Sequence, residues 1–170
     1  MSINLSEVLY QLGLKRFTEI YSDQVNANIT PDCEKYALVK LLALSDFAYK
    51  TLMKSPDLGA WLLDEKEIQC IEIKPALTCD QVENETDKQC FKSLRDYRNR
   101  YWLKVAFLDL VLKTPIENSI NYISKLSDSL IHSAYLWSYE QVAKVNGKPL
   151  NQNGDAMPML ILGMGKLGGF

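Results

Sequence analysis

The sequence predicts a mainly α-helical fold: a helical bundle with two long antiparallel helices, followed by the first strand of a truncated α/β domain. Three observations predict it. Apolar residues recur at steps of three and four through most of the first 147 residues. Thr-Pro and Ser-Pro pairs, which are typical of helix starts, separate these runs. Four of the eight glycines fall within the last eight residues, directly after a short apolar run.

The sequence of the N-terminal part predicts three helices. The first covers residues 6–21, with one apolar stripe formed by Val8, Leu12 and Ile20. Thr30 and Pro31 predict the start of a second helical run, whose inner side carries Tyr36, Val39, Leu42, Leu44 and Phe47. Ser55 and Pro56 repeat that signal before a short helix that carries Leu58, Trp61 and Leu62.

Residues 64–88 predict a solvated linker or long loop. This segment has eight acidic and three basic residues, Pro75 near its middle, and little apolar periodicity.

Two long helices are expected next. The first covers residues 86–113, with a stripe formed by Phe91, Leu94, Tyr101, Val105, Leu108 and Leu112. Thr114 to Glu117 matches a T-x-x-E capping box with proline at the first helical position, which predicts that a second long helix folds back antiparallel. Its stripe consists of Ile116, Ile120, Ile123, Leu130, Ala134 and Trp137. Gly147 fits the left-handed position that ends this helix.

The pattern changes after Gly147, which divides the chain into a helical region, 1–147, and the start of a second domain, 148–170. Pro158 leads into an apolar run, residues 159–162, which predicts a strand. A single strand cannot satisfy its own backbone groups, so its partners are expected beyond Phe170 or in another chain.

Composition excludes several classes of protein. With 19 basic and 21 acidic residues and a net charge of −2, the chain is not a basic nucleic-acid-binding arm or a disordered acidic tail. No membrane span and no secretory signal are expected, which favours the cytoplasm and free thiols for Cys33, Cys70, Cys79 and Cys90. The cysteine spacing and the presence of only one histidine argue against a zinc site.

A basic segment, Arg95, Arg98, Arg100 and Lys104, lies in the first long helix. The stepping of the stripe also places Arg98 on it, so Arg98 is expected to pair or to reach solvent at the rim. The alternative is a phosphate contact or a salt bridge to a catalytic domain that is absent from this chain. The neighbouring aromatic residues Tyr97, Tyr101 and Trp102 are expected in the core, and His132 at the surface.

The C-terminal residues 163–168 match G-x-G-x-x-G, the dinucleotide-binding fingerprint, but do not match a P-loop. Consecutive glycines let backbone N–H groups approach an anion, and Lys166 adds positive charge nearby. A tight turn that leaves a buried strand is the alternative interpretation of this pattern.

The string PMLILGMGKLGG, residues 158–169, resembles the segment that opens the first nucleotidyltransferase domain of the bifunctional glutamine synthetase adenylyltransferase/adenylyl-removing enzymes. These enzymes belong to the DNA polymerase beta-like nucleotidyltransferase superfamily. The resemblance extends upstream to about Leu41 and includes Ser45-Asp46-Phe47, Leu94-Arg95 and the turn Asn153-Gly154-Asp155.

The resemblance implies a reaction and its components. Enzymes of this family attach AMP from ATP to a tyrosine of glutamine synthetase, remove it by phosphorolysis, and are controlled by glutamine and a PII-type signalling protein. Gly168 and Gly169 match the phosphate-proximal turn of the family, with Lys166 as a further phosphate-binding residue. The Asp-x-Asp pair that holds Mg²⁺ in the family has no counterpart here, so the resemblance implies no catalytic or metal-binding residue in this chain and no activity for it alone.

Two other functions fit parts of the pattern. A self-sufficient helical interaction domain with an extended tail would explain the helices, and a truncated dinucleotide-binding protein would explain the glycine pattern.

Overall fold

A computed structural model describes residues 6–22, 32–64, 66, 68 and 72–163 of the chain. Helices make up most of this part of the chain, as the sequence predicts. They are α1 (Glu7–Tyr21), α2 (Asp32–Leu44), α3 (Asp46–Lys54), α4 (Leu58–Leu63), α5 (Cys79–Asn84), α6 (Asp87–Phe107), a π-helix (Leu108–Leu112) and α7 (Ile116–Asn146).

Side-chain caps begin two of the short helices. Ser45 Oγ accepts a hydrogen bond from Ala48 N at the start of α3. At the start of α5, Thr78 and Gln81 form a reciprocal capping box. Thr30 and Pro31, the expected start signal of α2, lie outside the described residues.

The capping box predicted at Thr114 is wrong. Helix α7 begins at Ile116, and the buried Thr114 hydroxyl has no hydrogen-bond partner among the described residues. Thr114 N instead donates to Leu108 O (3.1 Å), so this residue completes the preceding helix rather than starting the next one.

The first long helix covers nearly its predicted range but changes type before it ends. After Phe107 it continues as the π-helix, and Lys113 then adopts a left-handed conformation (φ 56°). Lys40 of α2 donates from Nζ to Val111 O (3.1 Å), so a cation satisfies a carbonyl at the end of the π-helix.

The described residues divide into two compact units. The first joins the residues up to Glu72 with Asn99–Ile123, and the second joins Ile73–Arg98 with the residues from Ser124 onwards. Helices α6 and α7 each contribute residues to both units.

The first unit has an aliphatic core. Its buried members are Leu41, Leu42, Ala48, Leu52, Leu58, Leu62, Leu103 and Phe107. Trp61 and Ile20 pack against this cluster, which agrees with their predicted inner positions. Burial of this much apolar surface is the main force that holds the four N-terminal helices to the end of α6.

The predicted stripe of α1 is only partly correct. Val8 and Leu12 are exposed, and the buried residues of the helix are Gly13 and Tyr21. A Cβ atom at position 13 would overlap the Val39 carbonyl, so glycine allows α1 and α2 to approach closely at this point. The contact is therefore made by a small residue that an apolar pattern does not identify.

The prediction of which residues face inward in the helical run after Pro31 is also only partly correct. Val39 and Leu42 are buried as expected, whereas Tyr36, Leu44 and Phe47 are about 40% exposed. The helical run ends at Leu44 and restarts at Asp46, so the phase of the pattern shifts and Phe47 belongs to α3.

The second unit overturns the prediction of a solvated linker at residues 64–88. The segment contains α5, and Ala76, Leu77 and Val82 are buried. Leu77, Val82, Cys90 and Trp137 form a small core. The segment can pack because Ser133 of α7 provides a hydrogen-bond acceptor for its buried backbone N–H groups. Ser133 Oγ accepts from Ala76 N (3.0 Å) and Leu77 N (3.3 Å).

The predicted stripes of the two long helices are only partly correct: in α6, Val105 is buried and Leu94 packs against buried residues, as predicted. In α6, Phe91 is 55% exposed while Cys90, Leu103 and Phe107 are buried; in α7, Ile116 and Ile120 are exposed, whereas Trp137 is buried as predicted. The buried polar residues of α7 are Ser119, Ser124 and Ser133. A stripe drawn through apolar residues alone misses these serines, and its phase is shifted for that reason.

Gly147 ends α7 in the left-handed conformation (φ 81°), as predicted. No helix in the described ranges is both long enough and apolar enough to cross a lipid bilayer.

Candidate functional site

The segment after α7 begins with a small hairpin. Leu150 and Ala156 pair in an isolated antiparallel bridge, and Met157 N donates to Pro149 O (2.9 Å). Lys148 makes an ion pair with Glu140 of α7 (3.3 Å). The hairpin turns the chain directly after the helix, at the Asn153-Gly154-Asp155 turn that the sequence indicates.

The Asn151 side chain organises the turn of this hairpin. Its Oδ1 accepts hydrogen bonds from Asn153 N (2.8 Å) and Asp155 N (2.9 Å). Gly154 N donates to Asn151 O (3.1 Å), with Gly154 at a φ of 86°. This is the Asx-type turn that asparagine favours, with glycine at the left-handed position.

The strand predicted at residues 159–162 is not present among the described residues. The apolar side chains of this run are highly exposed, with Leu160 at 80% and Leu162 at 74%. A strand requires a neighbour that receives its backbone hydrogen bonds, and the described part of the chain places no second strand beside this run. The predicted mainly helical fold class is therefore confirmed, whereas the described residues do not contain the strand that the sequence predicts after the helices.

One hydrogen bond connects this exposed run to α7. Met159 N donates to the phenolic oxygen of Tyr135 (3.0 Å), and the Tyr135 ring packs 5.8 Å from that of Tyr139. The backbone of the run is thus tethered near its start.

The three residues predicted to bind phosphate cannot be placed geometrically. Lys166, Gly168 and Gly169 lie outside the described residues, which end with Gly163. The described part of the segment therefore leads towards the predicted turn without including it.

The basic segment of α6 divides into exposed and buried members. Arg95, Arg98 and Arg100 are exposed, which agrees with a rim position for Arg98, and the Arg100 guanidinium lies 5.4 Å from the Trp61 ring centroid. Lys104 is buried, with Nζ 5.1 Å from the Tyr122 ring centroid. Arg100 and Lys104 thus contact aromatic rings of the first unit.

The neighbouring aromatic residues and His132 largely agree with their predicted positions. Tyr101 packs edge-on against Trp61 at 6.0 Å, and His132 is exposed. Trp102 differs from the expectation because it is 39% exposed.

The described residues contain no group of three His, Cys, Asp or Glu side chains that could hold a metal ion. Among the cysteines, Cys33 and Cys79 are exposed free thiols and Cys90 is a buried free thiol. Burial, with a smaller effect of Glu85 and Asp87, raises the pKa of Cys90. Cys70 lies outside the described residues.

Sequence reasoning missed two side chains of α7 that hold neighbouring segments: Ser133, which anchors residues 76 and 77, and Tyr135, which anchors residue 159. A signal for Ser133 was available, because it stands at steps of three and four from Leu130 and Trp137 on the predicted stripe. A small polar residue at such a position predicts a hydrogen bond to the segment that covers the helix.

The described residues are mainly helical, and a glycine-rich sequence follows them in the chain. Its sequence matches the family model described as glutamate-ammonia ligase adenylyltransferase over residues 35–170, and the chain belongs to that family. This confirms the family that the string PMLILGMGKLGG indicates.

Curated relatives carry the name bifunctional glutamine synthetase adenylyltransferase/adenylyl-removing enzyme. The Pasteurella multocida protein is 32% identical over 98% of this chain and 17% of its own length. The Psychromonas ingrahamii protein is 30% identical over 95% of the chain and 17% of its own length, and the Alteromonas mediterranea protein is 45% identical over 55% and 9%. The chain thus spans about one sixth of the length of the relatives that match nearly all of it. No solved structure matches the chain significantly.

Proposed function

We propose that this chain supplies a helical scaffold and a phosphate-binding turn to an enzyme that modifies glutamine synthetase. The enzyme transfers AMP from ATP to a tyrosine of glutamine synthetase and removes it by phosphorolysis, in control of nitrogen assimilation. The observation that carries the proposal is the family match over residues 35–170, because this range includes the glycine-rich string.

The glycine-rich turn has a specific role in this proposal. Backbone N–H groups at Gly168 and Gly169 would orient phosphate oxygens, and Lys166 would add a positive charge beside them. The resemblance of residues 158–169 to the family segment supports this assignment. The exposed hairpin and apolar run agree with a segment that leads from the helical scaffold to such a turn.

We further propose that the two long helices run antiparallel. Contacts within the first unit support this arrangement: the Tyr101 and Tyr122 rings lie 6.2 Å apart, and Ser119 donates a hydrogen bond to Asp109. Residue numbers rise along one helix as they fall along the other, which is the pattern of an antiparallel pair joined by a short connection. In the same proposal, the exposed run at 159–162 becomes a strand when other strands pair with it.

ATP is the proposed substrate, and Mg²⁺ is the proposed metal of the complete enzyme. The described residues do not fit a metal site, and no Asp-x-Asp pair follows Gly169 in the 170 residues. No residue of this chain is therefore assigned to the metal or to catalysis, and the chain alone is expected to be inactive.

The proposed partners follow from the same resemblance. They are glutamine synthetase, as the protein substrate, and a PII-type signalling protein, as the regulator, with the cytoplasm as the site of action. Neither nucleic acid nor a membrane is a proposed partner.

The experiment that tests the function measures the release of ADP from adenylylated glutamine synthetase in the presence of phosphate. The chain alone is expected to release no ADP. A chimera that continues after Phe170 with the corresponding residues of the Pasteurella multocida relative is expected to transfer the AMP group to phosphate and to release it as ADP. Release by the chain alone would contradict the assignment of catalysis to residues outside it. A folded but inactive chimera, beside an active Pasteurella protein, would contradict the scaffold role.

A further inference from the structure

The chain contains two asparagines that are followed directly by glycine, Asn146 before Gly147 and Asn153 before Gly154. Such a pair can react without any enzyme. The glycine backbone nitrogen attacks the asparagine Cγ, the new N–C bond replaces the Cγ–Nδ2 bond, and ammonia leaves with the proton of the glycine N–H. Water then opens the resulting succinimide to aspartate or isoaspartate. Glycine favours the attack because it has no Cβ to obstruct the approach.

The two pairs are matched in the environment of the attacking nitrogen. Gly147 N donates one hydrogen bond, to Ala143 O (2.9 Å), and Gly154 N donates one, to Asn151 O (3.1 Å). Both glycines have left-handed φ angles, and a Cβ atom at either position would meet nothing within 4 Å. Any difference in reactivity must therefore come from the asparagine side chain and its backbone.

The two asparagine side chains differ in their hydrogen bonds. Asn146 is the last residue of α7, and its Nδ2 donates to Val142 O (3.2 Å), which holds the amide against the helix and away from the Gly147 nitrogen. The Asn153 side chain is exposed and makes no hydrogen bond to any described residue, although its backbone N–H donates to Asn151 Oδ1. The side-chain Cγ of Asn153 can therefore rotate towards Gly154 N when the turn opens.

We infer that Asn153 is a site of spontaneous deamidation and that helix α7 protects Asn146. Isoaspartate at position 153 would lengthen the backbone by one carbon between residues 153 and 154. The turn in which Gly154 N and Asp155 N both bond to Asn151 would then no longer fit. Formation of isoaspartate, but not of aspartate, thus removes the hairpin that leads into residues 158–163.

The test incubates the intact chain at mildly alkaline pH and locates each deamidated residue by peptide fragmentation in a mass spectrometer. Asn153 is expected to react about fivefold faster than Asn146, which corresponds to about 1 kcal/mol at 1.4 kcal/mol per tenfold. In concentrated guanidinium chloride the two rates should become equal, because both residues then share the same local sequence chemistry.

Equal rates in the native chain, faster reaction at Asn146, or an Asn153 that stays intact would overturn the inference. A variant of the chain tests whether the turn itself controls the reaction rate at Asn153. Asn151→Ala removes the side-chain acceptor of Asn153 N and Asp155 N, and should accelerate reaction at Asn153 while leaving Asn146 unchanged. An unchanged rate at Asn153 in this variant would contradict control by the turn.

Discussion

Different interactions stabilise the interior of each of the two units. The first unit buries leucines and Phe107 in an aliphatic core, with four helices around them. Among its described residues, the second unit has a smaller core of four buried members, and side chains of α7 hold the segment before α6 by hydrogen bonds to its backbone. These bonds include Ser133 to Ala76 and Leu77, Trp137 to Glu85, Gln141 to Val82, and Lys144 to Glu83.

This difference explains where the sequence predictions succeeded. Aliphatic burial leaves a periodic pattern that predicts helices. Hydrogen bonds from serine, glutamine or lysine to a backbone leave no period, because the partner is a group that every residue possesses. A segment that is held in this way has the composition of a loop, although it is packed.

The largest expected effect tests the aliphatic core. Leu42→Ala, at a fully buried position, should reduce the free energy of unfolding by about 2 to 5 kcal/mol, since it creates a cavity. Leu44→Ala, on the same helix at 41% exposure, should cost less than about 1 kcal/mol. Urea denaturation measures both variants. Equal losses would mean that burial in this unit does not distinguish the two leucines.

The next effect tests the hydrogen-bonded unit. Ser133→Ala leaves the Ala76 and Leu77 N–H groups buried without an acceptor, which should cost about 1 to 3 kcal/mol. It should also increase hydrogen exchange at these two amides. Ser138→Ala, at an exposed position of the same helix, is the control and should change stability by less than about 0.5 kcal/mol. Unchanged protection at residues 76 and 77 in Ser133→Ala would show that the segment is not held by this hydroxyl.

A smaller effect depends on pH and concerns Tyr21, a buried polar group in the first unit. Its hydroxyl donates to Pro56 O (3.1 Å), and burial, with a smaller effect of Asp57, raises the pKa of Tyr21 from 10.0 to about 12. Near neutral pH, Tyr21→Phe should lose about 1 kcal/mol.

The raised pKa fixes the sign of the pH dependence. Above pH 10.0 the unfolded chain releases the Tyr21 proton first, so the stability advantage over the Phe variant falls as pH rises and is lost by about pH 12. Denaturation of both chains across this range measures the difference. An advantage that stays constant with pH would contradict the raised pKa.

The smallest effect compares one ion pair from each unit. Arg16, with 17% of its side chain exposed, binds both Asp46 and Leu42 O, whereas Lys92 and Asp96 of the second unit lie 3.9 Å apart with both side chains exposed. Asp46→Asn should cost about 0.5 to 1 kcal/mol at low salt, and Asp96→Asn nothing measurable. The difference should shrink in high salt. A larger loss from Asp96→Asn would reverse the order that the geometry predicts.

Much of the fold could be predicted from sequence, but less of its detail. The start of α1 and the two long helices follow from periodicity, and the end of α7 follows from the glycine at position 147. The phase of the stripes was less predictable, because Gly13 and the buried serines of α7 occupy inner positions that an apolar pattern skips. The strand expected at 159–162 depends on partners, and local sequence cannot supply those.

In the candidate site too, local sequence predicts some features, whereas contacts between distant residues could not be predicted. The turn lies at Asn153-Gly154-Asp155, as the sequence predicts, whereas the prediction did not include Asn151, whose side chain organises the turn. The tether from Tyr135 to Met159 joins residues that are 24 positions apart, so no local pattern predicts it. The family could be identified from residues 158–169 because glycines and a lysine at fixed spacing form a specific string.

The central claim is that the segment after the hairpin supplies the phosphate turn of an AMP-removing enzyme. The most direct test replaces Gly169 by Val in the chimera that continues after Phe170, with Gly163→Val as the matched control, and measures phosphate-dependent release of ADP from adenylylated glutamine synthetase. We predict that Gly169→Val abolishes release, because a side chain would block the approach of the backbone to phosphate, while Gly163→Val retains most of it and both chimeras keep their helical circular dichroism. Full activity in the folded Gly169→Val chimera would contradict the claim.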